Sequence, residues 1–158
     1  ELFSAEEFGA TIEAYTYPDE FAACDGSISV TPGVVIGQQD RKSFGLCYRT
    51  TVGNDTQGNN HGYKLHLIYG CKAAPSEKGY STIKDSPVAK TSSLEVTTTP
   101  VAVTGGKPTS TLVIDSTKLK PATMAAVEAK LYGDVDSQAT LPLPDVIIEL
   151  IRSKESEA

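Results

Sequence analysis

The chain reads as a mainly β protein: a β-sandwich or small barrel with one α-helix packed on it near residues 121–132. Three observations predict this class. Apolar residues recur with period two along much of the chain, one segment alone carries a clear helical stripe, and strands and helices do not alternate in the βαβ manner. A length of 158 residues suits one domain, assigned to 1–151, with 152–158 as a frayed tail.

The first strand lies in FGATIEAYTY (8–17), where Phe8, Ala10, Ile12 and Ala14 share a face. ISVTPGVVIG (28–37) offers one or two short strands interrupted at Pro32-Gly33. In FGLCYRTTV (44–52), Phe44, Leu46, Tyr48 and Val52 share a face. The strand over about 62–74 sets Tyr63, Leu65, Leu67, Tyr69 and Cys71 on one face and Lys64, His66, Gly70 and Lys72 on the other. Between these two strands GNDTQGNN (53–60) reads as a long hairpin loop, because Gly, Asn and Asp tolerate positive φ and bond to their own backbone. After Ala74 the alternation stops, and a polar connecting loop runs on to Pro87.

TSSLEVTTTPVAV (91–103) is a further strand, with a phase break between Leu94/Val96 and Val101/Val103 that places a bulge or corner near 98–100, beside Pro100. TGGKP (104–108) is a turn and TSTLVID (109–115) a strand. The helix is PATMAAVEAKLYG (121–133): Pro121 suits its first position, Gly133 its C-terminal cap, and Met124, Val127 and Leu131 form its stripe. For 145–153 both a short helix and an edge strand fit, the helix being favoured with Asp145 as its cap and Ile147, Leu150 and Ile151 inward.

Composition excludes several functions. The net charge is −6 and the fourteen basic residues are scattered, which does not make a phosphate-gripping patch. No apolar run approaches the roughly 20 residues of a membrane helix. Cys24, Cys47 and Cys71 are an odd number without a CxxC pair, which argues for reduced thiols rather than a disulfide framework or zinc site. His61 and His66 stand five apart, so one strand would point them to opposite faces. A solvated role suits each better than catalysis. TGGKPTS misses a phosphate loop at Val101 and Pro108, and the stretch from Asp134 misses a calcium loop at Ala139 and Asp145. Tyr48, Tyr63 and Tyr69 suit core packing, with interface roles as the alternative. No catalytic residue, metal or cofactor is assigned.

Taken in order, YPDEF (17–21), IGQQDRKSFGLCYRT (36–50), GND (53–55), HGYKLHLIYG (61–70), APSEKGYSTIKDSP (74–87), LEVTTTPV (94–101), KPTSTLVIDSTK (107–118), LYG (131–133) and LPLPD (141–145) resemble the major tail, or tail tube, proteins of long-tailed bacteriophages and prophages of Gram-positive bacteria. The resemblance runs over about residues 8–151, and its specificity comes from the ordered series. It implies a structural subunit of the virion tail, made in the host bacterial cytoplasm, without enzyme activity or cofactor. Such subunits form rings, typically hexameric, that stack into the tube through which DNA leaves. The implied partners are further copies of the chain, other tail proteins, and DNA passing without tight binding; no membrane is implied. Similar proteins carry an N-terminal stretch ahead of the match, so the resemblance also implies that this chain lacks one. Within this reading the 53–60 loop, with Asn54, Asp55, Thr56, Gln57, Asn59 and Asn60, is the candidate contact between rings. The alternative is a non-catalytic β-sandwich binding module on a virion surface, for carbohydrate or a host receptor.

Overall fold

A computed structural model describes residues 7–74 and 91–157. It is mainly β, with 40% strand against 26% helix, and its pairing among the described residues closes into no barrel. The expected connecting loop after Ala74 falls largely outside the described residues. Among the described residues seven strands occur, β1 (Gly9–Ala14), β2 (Ile28–Thr31), β3 (Val34–Ile36), β4 (Phe44–Asn54), β5 (Gly58–Ala73), β6 (Ser92–Thr98) and β7 (Thr111–Asp115). With them are three helices, α1 (Ala22–Asp25), α2 (Pro121–Tyr132) and α3 (Pro144–Ser156). Two compact units divide these elements. One comprises the chain up to Phe44 with Cys71–Thr99, the other Gly45–Gly70 with Pro100 onward.

In the first unit β6 pairs antiparallel with β1, from Gly9↔Thr97 to Ala14↔Ser92, and with the end of β5 at Cys71↔Thr98 to Ala73↔Val96. Leu94 and Val96 are buried, and Ala10, Ile12 and Ala14 face inward along β1 as alternation requires. β2 and β3 form a separate two-stranded ribbon around Pro32-Gly33, and Gly33 takes the left-handed φ of 83° that Gly after Pro supplies in a tight turn. Tyr17 stacks on Phe21 and Phe21 meets Phe44 edge-on, each with ring centroids 5.1 Å apart. This cluster rests on a 3-10 turn at Asp19–Phe21 leading into α1, two elements absent from the sequence expectation. Arg41 donates from Nη1 to the carbonyls of Ala73 (3.1 Å) and Ala74 (2.9 Å), anchoring the segment before β4.

In the second unit β5 runs between β4 and β7, its pairing with β7 extending from Lys64↔Asp115 to Ile68↔Thr111. The predicted alternation is realised: Leu65, Leu67 and Tyr69 join Ile114, Met124, Val127, Leu131 and Ile147 in one apolar core. Full burial of each such side chain contributes roughly 1.5–3 kcal/mol. Helix α2 has the expected bounds and stripe, with Pro121 at its start. Gly133 ends it at φ 74°, ψ 175°, a conformation open essentially to glycine alone.

Helix α3 settles the ambiguity of 145–153 and corrects the frayed tail, because it continues to Ser156. Its last turn bonds to the start of α2. The Glu155 carboxylate accepts from the Lys120 amide (2.9 Å) and the Thr123 hydroxyl, and Lys120 Nζ donates to the carbonyls of Glu155 (2.9 Å) and Glu157 (2.8 Å). Asp145 lies in the first turn of α3, where its carboxylate accepts from the amide (2.8 Å) and hydroxyl (2.9 Å) of Thr104. It therefore fastens the 104–108 turn rather than capping its own helix. The phase break near Pro100 is present: β6 ends at Thr98, and Val101 forms an isolated bridge with Thr109.

Candidate functional site

The β4–β5 hairpin carries the candidate contact residues. The expected eight-residue loop is a three-residue turn, since β4 continues to Asn54 and β5 begins at Gly58. Backbone pairing persists into a segment whose composition signals a loop, because both faces of the ribbon are wet there and alternation is not required. Gly58 supplies the left-handed turn at φ 57°. The Asn54 side-chain oxygen accepts from the amides of Thr56 (3.1 Å) and Gln57 (2.6 Å), an Asx arrangement that holds the turn. Asn54, Asp55, Thr56, Gln57, Asn59 and Asn60 are all exposed and gathered at this one tip.

His61 is the tip residue that sequence reasoning left out, although it adjoined the loop. Its Nδ1 lies 3.0 Å from both Asn54 Nδ2 and Gln57 Oε1. In one tautomer that nitrogen accepts from Asn54 Nδ2; in the other it donates to Gln57 Oε1. The ring therefore tightens the turn in either state. His66 has separate partners. It stacks on Tyr48 at 4.6 Å between centroids, nearly parallel, and its Nε2 is 2.8 Å from Thr50 Oγ1. Tyr48 is thus a surface residue, which corrects its assignment to the core: Cys47, not Tyr48, meets the apolar core from β4. Tyr69 is buried as expected and Tyr63 packs against the core with Arg49 over its ring, 4.8 Å from the centroid.

Burial holds several phenols and thiols toward their neutral forms. Burial, then the hydrogen bond that Tyr63 gives to Glu128, pushes the Tyr63 phenol up to about 12, and burial, then the neighbouring Cys47, takes Tyr69 to about 12. Burial likewise raises Cys24 and Cys47 and moves Cys71 up to about 11. A thiol ionises before it attacks or binds metal, and burial opposes ionisation at all three. Cys47 borders an open depression of about 210 Å³ whose other lining residues are Gly45, Leu46, Leu131, Ala139, Thr140 and Leu141. The Cys47 thiol donates to the Tyr132 hydroxyl at 4.0 Å, and the Glu128 carboxylate adds to the upward shift. Among the described residues no three His, Cys, Asp or Glu side chains converge as a metal site, and no helix is long and apolar enough to cross a membrane. Oδ1 of Asp134, considered above for calcium, accepts from the amides of Asp136 (2.9 Å) and Ser137 (2.8 Å) and from the Ser137 hydroxyl (2.8 Å).

What the hairpin offers is a braced, exposed, polar tip. No family model, no curated protein and no solved structure matches the chain.

Proposed function

We propose that this chain is a self-assembling structural subunit of the tail tube type, forming stacked rings that serve as a conduit for DNA. The ordered sequence motifs first suggest the reading. The observation that carries it is the β4–β5 hairpin, whose tip holds six exposed polar residues on a turn braced by Asn54, Gln57 and His61. A pre-ordered tip loses little entropy on reaching a neighbouring ring, which is what a repeated, weak contact needs. The acidic net charge of −6 suits a wall that DNA passes without sticking. Strands with open edges provide the main-chain groups by which copies can join.

Negative-stain microscopy of the concentrated protein tests the reading. Rings or hollow rods are the expected result, and monomers at every concentration would contradict it. Replacing Asn54 and Gln57 with Ala should leave rings while shortening or abolishing rods, because the tip is assigned to contacts between rings. Rods of unchanged length would remove the tip from that role.

A further inference from the structure

The β2–β3 ribbon is chemically unlike the rest of the surface. Ile28 (46%), Val30 (59%), Val34 (48%), Val35 (64%) and Ile36 (41%) are all exposed. In register, Ile28 lies opposite Ile36 and Ser29 opposite Val35, with an irregularity before Thr31↔Val34. Ile28, Val34 and Ile36 therefore share one face, and Val35 stands on the other. Among the described residues neither strand pairs with a third. Two-stranded ribbons are at best marginal in water without a covered apolar face or a further strand. Five exposed β-branched residues on such a ribbon mark a surface that something covers.

Charge narrows what that something is. From Ser27 to Gly37 the chain has no charged residue, although it carries 34 charged side chains elsewhere and a net charge of −6. A nucleic acid or a charged peptide finds no counter-charge on the ribbon. Two copies of this acidic chain, by contrast, repel each other least where neither brings a carboxylate. Five exposed apolar side chains fall short of the roughly 20–30 residues a side of a standard stable interface. The patch fits a contact that is weak singly and holds when repeated through an assembly.

We propose that the β2–β3 ribbon is a self-association surface that docks on a second copy of this chain. The inference rests on the self-assembly reading, but it concerns different residues from those of the hairpin tip. It is tested by sedimentation velocity over a concentration series, comparing the unaltered chain with the double variant Val34→Lys, Val35→Lys, which charges both faces of the ribbon. Circular dichroism checks that the variant folds. Hydroxyl-radical footprinting of the unaltered chain, dilute and assembled, reads burial of Ile28, Val34, Val35 and Ile36 directly. The expected result is an association midpoint raised about tenfold or more, equivalent to about 1.4 kcal/mol, together with reduced labelling of the ribbon on assembly. Unchanged assembly of a folded variant overturns the inference and leaves the self-assembly reading standing. So does undiminished ribbon labelling, which decides the question even if the variant fails to fold. An unaltered chain that stays monomeric throughout overturns both.

Discussion

Strand β5 between Leu65 and Tyr69 and the β2–β3 ribbon are built from the same kind of residue, yet they meet opposite environments. Leu65 and Leu67 are completely buried, whereas all five large apolar residues of the ribbon are at least 41% exposed. β5 has paired neighbours on both edges and helices α2 and α3 over its apolar face. Among the described residues the two strands of the ribbon pair only with each other. Hydrophobicity in β5 is thus spent on folding, and hydrophobicity in the ribbon is left over after folding. That surplus apolar surface is where the proposed self-association seats a second copy.

The comparison breaks most visibly at the core. Leu67→Ala should lower unfolding free energy by about 2–5 kcal/mol, the range for truncating a buried leucine, as read by urea denaturation. A loss below about 1 kcal/mol would mean that β5 is not the centre of its unit. Next comes Gly133→Ala. An added Cβ would sit 2.6 Å from the Ser137 carbonyl oxygen and 2.7 Å from the Ala139 amide nitrogen, in backbone that alanine resists. The strain alone costs about 1–3 kcal/mol, measurable as a fall in the denaturation midpoint.

Titration offers a subtler separation. Cys71 is held neutral by burial, with its folded value raised to about 11. A raised value means that its contribution is complete below the ordinary thiol value of about 8.5 and is lost as pH climbs through the folded one. Stability should therefore decline on the alkaline side between these limits, and Cys71→Ala should flatten that decline. On the acid side the sign reverses. The Thr104 amide and hydroxyl hold Asp145 below the usual carboxylate range, and the Thr123 hydroxyl with the Lys120 amide does the same for Glu155. Their contributions are complete above the ordinary values near pH 4 and vanish as pH falls through the depressed ones. Asp145→Asn should make the acid limb of a stability–pH curve shallower. The smallest effect belongs to the ribbon: Val35→Lys should change monomer stability by no more than about 0.5 kcal/mol, in contrast with Leu67→Ala.

Period two was readable in β5 because one face is buried and selects every second residue. Helix α2 was readable because Pro121, the Met124–Val127–Leu131 stripe and Gly133 agree on its bounds. The hairpin tip was not: exposed on both faces, it imposes no alternation, so Gly and Asn composition suggested a loop where strands continue. The last turn of α3 was equally hidden, since its order comes from Lys120 and Thr123, more than thirty residues away along the chain. Tyr48 was misassigned because its face of β4 holds apolar residues in sequence while Cys47, on the other face, meets the core. The six tip residues were identified as a group, but the brace from His61 depends on a turn geometry that composition does not specify.

The most direct test of self-assembly as the chain's function is a cryo-EM reconstruction of the concentrated protein, read at the subunit boundary. The account predicts rings in which strands of adjacent copies share main-chain hydrogen bonds and the β2–β3 ribbon is covered by a neighbour. Solitary molecules, or copies touching only through side chains with the ribbon still bare, would contradict it.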